Sequence, residues 1–358
     1  MTESDKVKSK KDIGAAVIGY GGMGGWHTEK IKKIKGISLI GIYDILESRR
    51  QAAEEKNIRA FNSREELLAD ERIDLVVIAT PNDVHKEITI AALEAGKNVI
   101  CEKPVAMNSV ELEEMIAVSV KAGKIFTVHQ NRRWDDDYLC AKKIIEENML
   151  GRVYNIESRV QGDRGVPGDW RNRKAQGGGM VLDWGVHLLD QILMLKKDQK
   201  LTSVYAQLTF VTSDEVDDGF KTMLSFDDGT TAYVEVTTSN FVKLPRWYIL
   251  GENGTAMIED WDLNGKIIKV SDWENRDAVP VLAGVGLTKT MAPRTDDTIK
   301  KYKLPKVHSD WGAYYENIVA AIKGEEKPLI THEQVRRSTK LMEAIFESDK
   351  HNIVVKFE

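Results

Sequence analysis

Residues Ile13–Asp44 read I-G-A-A-V-I-G-Y-G-G-M-G-G-W-H-T-E-K-I-K-K-I-K-G-I-S-L-I-G-I-Y-D. An apolar run ends at Gly19, and Gly19, Gly21 and Gly24 follow the spacing G-x-G-x-x-G. A helical pattern comes next, then a second apolar run ending in Asp44, 20 residues beyond Gly24. Each glycine answers a physical need: Gly19 for the tight turn out of a strand, Gly21 for close approach of a pyrophosphate, Gly24 for close packing of helix on strand. The helix N-terminus supplies free N–H groups and the positive end of its dipole. The stretch therefore predicts a dinucleotide cradle of Gly19, Tyr20, Gly21, Gly22, Met23 and Gly24. Asp44 is placed to accept hydrogen bonds from a ribose 2′-hydroxyl and to repel a 2′-phosphate, which favours NAD over NADP. Arg49 and Arg50 follow it, and an arginine there is the feature that would serve NADP.

Outward from this unit, residues 12–130 alternate β-branched runs with helical patterns. Strands are expected at Ile13–Tyr20, Ile37–Tyr43, Ile73–Thr80, Asn98–Cys101 and Ile125–His129. Helices are expected near His27–Lys35, Arg49–Lys56, Arg64–Ala69, Val84–Ala95 and Val110–Ala122. That grammar means a parallel sheet covered on both faces, the α/β Rossmann class. Beyond residue 130 the pattern changes. A helix at Trp134–Met149 and a strand at Arg152–Val160 lead into a Gly- and Arg-rich loop, and a regular helix is expected from Gly179 to Leu195. Five strands then run in succession, with turns at Asp227-Asp228-Gly229 and Glu252-Asn253-Gly254. Residues 273–300 read as a long loop, and two helices and a short strand close the chain. This is an α+β domain with a mostly antiparallel open sheet. The division is a loose tail over 1–11, a dinucleotide domain over 12–130, and a substrate-binding and oligomerisation domain over 131–358.

With 358 residues, 42% hydrophobic and 30% charged, the chain has the make-up of a two-domain globular protein. A net charge of −5 argues against nucleic-acid and membrane-surface partners. No apolar run is long enough to span a bilayer. Residues 1–11 lack the apolar centre of a secretion signal, and the two cysteines, Cys101 and Cys140, read as reduced thiols in a cytoplasmic protein. No set of His, Cys and acidic residues forms a metal-ligand pattern in the sequence. An antiparallel sheet with one uncovered face favours a dimer or higher assembly.

Three more stretches carry chemistry. Ala79-Thr80-Pro81-Asn82-Asp83-Val84-His85 and Cys101-Glu102-Lys103-Pro104 fall at strand C-termini, where open α/β sheets bind ligands. Gly177-Gly178-Gly179-Met180-Val181-Leu182-Asp183-Trp184-Gly185-Val186-His187-Leu188-Leu189-Asp190 sets Asp183 and His187 four apart on an expected helix. A carboxylate beside an imidazole fixes its tautomer and raises its basicity. The alternative reading of that pair is a helix-dipole aspartate and a packed histidine, and that of Lys103 a solvated loop lysine.

Taken together, G-x-G-x-x-G with His27 just after it, A-T-P-N-x-x-H, E-K-P and G-G-x-x-x-D-x-G-x-H-x-x-D resemble the Gfo/Idh/MocA family along nearly the whole chain. The resemblance implies an NAD(P)-dependent oxidoreductase acting on sugars, inositols or their derivatives, with Lys103, Asp183 and His187 as the catalytic group. It implies that Thr80, Pro81, Asn82, His85 and Glu102 line the cofactor; Arg49, Lys103 and Gln130 are expected beside them. Oxidation of a ring secondary alcohol needs a hydride acceptor and a base. His187 is expected to take the proton, Asp183 to orient it and bind a hydroxyl, and Lys103 to stabilise the alkoxide. Substrate contacts are expected from Lys103, Asp183, His187, Arg132, Trp170 and Arg171, since an indole stacks on a sugar ring and arginine donates to hydroxyls or a carboxylate. A redox-neutral enzyme retaining NAD would carry the same residues, and a non-catalytic NAD-binding regulator would tend to lose Lys103 or His187. Trp247, Trp261, Trp273 and Trp311 are expected in core or subunit packing, and Asp214–Asp218 in a solvated loop.

Overall fold

The computed structural model describes residues 12–276 and 278–357; the tail expected over 1–11 lies outside the described residues. The chain forms two compact units that interleave in sequence. The first contains residues up to Asn131, together with Pro167–Val186 and Asp310–Glu343. The second contains Arg132–Val166, His187–Ser309 and the residues from Ala344 onward.

The first unit carries a five-stranded parallel sheet of β1 (Ile13–Ile18), β2 (Ile37–Tyr43), β3 (Leu75–Ile78), β4 (Asn98–Cys101) and β5 (Phe126–Val128), in the order β2-β1-β3-β4-β5. An isolated parallel bridge from Ile42 to Ala60 extends the sheet beyond β2. Both β1 and β3 are buried at every residue, as continuous apolar runs covered on two faces must be. The chain reverses its winding between β1 and β3, and the C-terminal ends of strands at such a switch point form the ligand crevice of open α/β sheets. The segments leaving β1 at Gly19 and β3 at Thr80 stand at that point.

Helices α1 (Gly22–Ile31), α2 (Glu47–Glu54), α3 (Arg64–Ala69), α4 (His85–Glu94) and α5 (Ser109–Ala122) connect these strands. Ser63 caps α3 by accepting from Glu66 N–H, and Asn108 caps α5 by accepting from Glu111 N–H. Gly123 ends α5 in the left-handed conformation, with φ 61°. Helix α1 begins five residues before the sequence pattern suggests, because the glycine turn is itself its first turn.

In the second unit, α6 (Asp136–Glu146) precedes β6 (Val153–Gln161), and α7 (Val186–Leu195) precedes β7 (Leu201–Thr209). Then come β8 (Gly219–Phe226), β9 (Thr231–Thr237), β10 (Trp247–Gly251), β11 (Gly254–Ile258) and β12 (Gly265–Val270). The region read as a long loop holds a small hairpin, β13 (Val281–Ala283) and β14 (Gly286–Thr288), and the strand β15 (Ile299–Tyr302). Helices α8 (Gly312–Ile322) and α9 (His332–His351) and the short β16 (Val355–Lys356) complete the chain. A nine-stranded sheet runs β15-β12-β11-β10-β6-β9-β8-β7-β16, antiparallel except where β6 pairs with β9. The expected hairpins β8–β9 and β10–β11 are present.

Trp247 is fully buried and donates to Asp137, as core packing requires, while Trp261 and Trp273 are 47% and 45% exposed in the single chain. One further expectation changes. Asp218 is buried, and its carboxylate accepts from Thr209 Oγ1 and the amides of Val211 and Thr212, which makes it the brace of its loop rather than a solvated charge.

Candidate active site at the strand C-termini

The glycine turn has the shape its spacing requires. Gly19 adopts φ 91°, and a Cβ there would meet the Ala79 carbonyl oxygen at 2.5 Å. A Cβ on Gly24 would lie 1.9 Å from the Gly19 carbonyl oxygen, whereas one on Gly21 or Gly22 would meet nothing within 4 Å. Gly21 is the N-cap of α1 and offers no side-chain cap, so the first N–H groups of a ten-residue helix open onto clear space. Such an opening can seat a pyrophosphate. Asp44 joins it from β2: its Oδ2 accepts from Tyr20 N–H at 2.7 Å and its Oδ1 from Leu46 N–H at 2.8 Å. Each oxygen keeps acceptor capacity for a ribose hydroxyl. Arg50 is turned back onto the Asp44 and Ile45 carbonyls, and Arg49 is exposed. Among the described residues, Thr80 Oγ1 and Gln130 Oε1 have no protein hydrogen-bond partner. This donor and acceptor set fits a dinucleotide.

Lys103 lies two residues beyond the end of β4. Its Nζ donates to the Asp183 carbonyl at 3.0 Å and to Asp183 Oδ1 at 3.1 Å. Arg171 Nε lies 3.3 Å from Asp183 Oδ2, and its guanidinium rests 4.6 Å from the Trp170 ring centre and also pairs with Asp169. The structure thus brings together Lys103, Asp183, Trp170 and Arg171 of the expected site. Burial opposes ionisation of Asp183, but the charges of Lys103 and Arg171 outweigh it and hold the carboxyl below its ordinary range. The expected regular helix from Gly179 is instead a π-helical turn, Val181–Gly185, before α7 begins. Such turns are frequent at functional sites.

His187 opens the part of α7 that belongs to the second unit, where it is buried. In that same unit, Arg132 donates to Asp135 at 2.8 Å and lies 5.5 Å from the Trp261 ring centre. Its neighbour Arg133 grips Asp190 with two bonds of 2.7 and 2.6 Å, so the last aspartate of the glycine-rich motif is an ion-pair anchor.

Several motif residues turn inward. His85 is fully buried between the two strand exits, its Nδ1 2.9 Å from the Pro104 carbonyl oxygen and its Nε2 3.0 Å from that of Thr80, and as a neutral imidazole it donates to one of the two. Asn82 is buried and donates to the Gly177 carbonyl at 2.8 Å. Glu102 is buried, and its Oε1 accepts from both His27 Nε2 and His129 Nδ1 at 2.8 Å. His129 and Tyr315, which bonds to His27 Nδ1, were not expected at the site from the sequence. Their only signal was position: His129 ends an expected strand, while Tyr315 lies on a closing helix with no motif around it.

A pH dependence of stability follows. Burial, then the charge of His129, lowers the pKa of His27 below 6.5; burial also lowers that of His85, despite its carbonyl partners. The unfolded chain therefore binds protons that the fold refuses, and the stability these residues hold above pH 6.5 is lost as pH falls through that value. Thermal midpoints taken from about pH 8 to about pH 5 are expected to be flat at first and then to drop. A constant midpoint across that span contradicts the assignment of neutral histidines.

The switch-point crevice with its capless glycine helix and acidic β2 terminus defines an NAD-binding Rossmann protein. The oxidoreductase family model with an NAD-binding Rossmann fold, GFO/IDH/MocA, matches residues 13–130, and the GFO/IDH/MocA C-terminal domain model matches 138–257. An uncharacterized oxidoreductase of Schizosaccharomyces pombe is 31% identical over 343 residues, covering 87% of this chain and 91% of that protein. The chain belongs to the Gfo/Idh/MocA family of oxidoreductases. The crystal structure of an NAD-binding protein from Listeria innocua superposes with a TM-score of 0.94 at 47% identity, over 97% of this chain and 100% of that one. The NADP(+)-dependent scyllo-inositol 2-dehydrogenase IolW of Bacillus subtilis is 26% identical, with 82% of each chain covered. Among the described residues, no helix is long and apolar enough to cross a membrane.

Proposed function

We propose that the protein oxidises a ring secondary alcohol of a sugar, cyclitol or glycoside to a ketone, or performs the reverse reduction. The observation that carries this reading is the ammonium of Lys103 held 3.1 Å from the Asp183 carboxylate at the end of β4. A cation and an acceptor side by side suit a hydroxyl group that is becoming an alkoxide. The inositol relative supports a polyol as substrate. In this reading Lys103 donates to the reacting oxygen, Asp183 accepts from a neighbouring hydroxyl, and His187 takes the hydroxyl proton. NAD, when bound, accepts the hydride lost from the same carbon. Trp170 offers a stacking face, and Arg132 and Arg171 add donors to ring substituents. Residues 12–130 hold the cofactor, and residues 131–358 complete substrate binding and homo-oligomer contacts. The cytoplasm is the setting in which the free, buried Cys101 and Cys140 stay reduced.

The test is a panel of polyols, free sugars and glycosides with NAD and with NADP, followed by NADH absorbance and by NMR of the product. A ketone formed with stoichiometric NADH supports the reading; no reduction of either cofactor by any member overturns it. Asp44 makes NAD the expected cofactor. A 2′-phosphate beside a carboxylate costs several kcal/mol, so kcat/KM for NAD should exceed that for NADP by about 100-fold or more. Equal values would show that Arg49 redirects the site.

A further inference from the structure

Glu102 is the most heavily engaged carboxylate near the reactive lysine, yet it points away from solvent. It is 5% exposed, while its partners His27 and His129 are 0% and 2% exposed. Its Oε2 accepts from the backbone N–H of Lys103 at 3.2 Å, and its Oε1 receives both imidazoles. The partners come from separate elements: His27 from α1, whose N-terminus is the pyrophosphate seat, His129 from the end of β5, and Tyr315, behind His27, from α8.

The protons in this cluster can be placed. Burial opposes the charge on Glu102, but the two histidines overcome it and hold the carboxyl well below its ordinary range. An ionised carboxylate only accepts, so His27 Nε2 and His129 Nδ1 both donate. His27 is neutral, because burial and the charge of His129 disfavour its protonation. Its Nδ1 is therefore a lone pair, and it accepts the hydroxyl proton of Tyr315, which burial keeps on the phenol. A metal ion is the other occupant such a trio suggests, since its ligand atoms lie within 4.8 Å of one another. However, both nitrogens stand 2.8 Å from one and the same oxygen, which is hydrogen-bond geometry converging on Glu102 rather than three ligands arranged around a centre.

We propose that Glu102 is a positioning residue: it ties the peptide carrying Lys103 to the helix that seats the cofactor phosphates, and so fixes where the Lys103 amine meets the reacting oxygen. This rests on the catalytic reading of Lys103 given above. Two imidazoles from two other segments converge with the Lys103 amide on one charge, so the Lys103 peptide is held without any contact between Glu102 and substrate. A displacement of about 1 Å at a reacting group costs about 100-fold in rate, which sets the scale of the effect.

The experiment compares wild type, Glu102→Gln, His129→Gln and Lys103→Ala. It uses the polyol of the panel with the fastest wild-type turnover, with kcat expressed per NAD-binding site counted by fluorescence titration. Glutamine keeps the volume of Glu102 but turns a donor toward groups that are themselves donors. Expected are a kcat lower by about 30- to 100-fold for Glu102→Gln and at least about tenfold for His129→Gln, with the NAD dissociation constant within about threefold of wild type. A merely structural role would lower the number of NAD sites and the melting temperature and leave kcat per site unchanged; that result overturns the proposal. If Glu102→Gln does not fold, His129→Gln decides by the same criterion. Turnover surviving in Lys103→Ala would remove the catalytic reading itself. Turnover lost there but kept in both other variants removes only the positioning role. Should no polyol turn over, amide exchange at Lys103 decides: protection retained in Glu102→Gln overturns the tether. Zinc retained at one equivalent by wild type after chelation, and lost in Glu102→Gln, would also overturn it, since the imidazoles would then be ligands.

Discussion

Replacing Lys103 by alanine is expected to lower kcat by about 1000-fold or more while the NAD dissociation constant changes by less than about threefold. The effect is large because, in the proposed reaction, the ammonium acts where charge develops. Removing one preorganised donor from an oxyanion site costs about 100- to 1000-fold, and here the donor carries a full charge with its side chain only 15% exposed. The substitution has a second consequence. Asp183 loses one of the two cations that hold its carboxyl down, so burial, which opposes ionisation, gains weight and its pKa rises. Residual activity should therefore fall off at a higher pH on the acid side than in wild type. Lys103→Arg is not expected to rescue, because a planar guanidinium cannot place a point charge where the ammonium stood. His187→Ala gives a different signature. Loss of a general base costs about 100- to 10,000-fold and is partly relieved as pH rises and hydroxide replaces the base. A kcat for Lys103→Ala within about tenfold of wild type, measured on the same polyol, would remove the ammonium from the chemistry.

What the sequence carried and what it did not divide along physical lines. The parallel strands were legible because apolar runs mark them, continuous where a strand is buried on two faces as in β1 and β3: β2 and β4 fall at the expected residues, and β1, β3 and β5 are trimmed only at their ends. Glycine roles were legible because they depend on backbone geometry within a few residues. The strands β12 to β15 were not. Their residues include Lys266, Lys269, Lys300 and Lys301, and most are exposed or half-buried, so neither alternation nor an apolar run marks them. The π-helical turn at Val181–Gly185 was also invisible, since a shift of hydrogen-bond register leaves composition untouched. At the site, residue types were readable but directions were not. Lys103 meets Asp183 as a motif reading suggests, whereas Glu102 and His85, from the same motifs, face buried partners. The partners of Glu102 lie 75, 27 and 1 residues away along the chain, a convergence only the fold reveals.

Substituting valine for Gly21 is expected to abolish NAD binding and leave the apo fold intact, and the contrast with Gly24 makes the prediction specific. A Cβ at Gly21 meets nothing within 4 Å, and Gly21 is not in the left-handed region, so a side chain is accommodated without strain. The apo melting temperature should stay within about 2 °C of wild type, as for surface substitutions worth less than about 0.5 kcal/mol. The open space above Gly21 is where a pyrophosphate must come to reach the free N–H groups of α1, and a branched side chain fills it. Losing that approach should raise the NAD dissociation constant by about 100-fold or more, equivalent to about 2.7 kcal/mol or more. Gly24→Val has the opposite origin: its Cβ would lie 1.9 Å from the Gly19 carbonyl oxygen, so α1 must move off β1 and the apo protein itself should melt at a lower temperature. Calorimetric titration with NAD and thermal melts of both variants separate the two cases. If Gly21→Val bound NAD within about fivefold of wild type, the phosphates would not be seated on α1, and the cradle would have to be sought elsewhere along the strand C-termini.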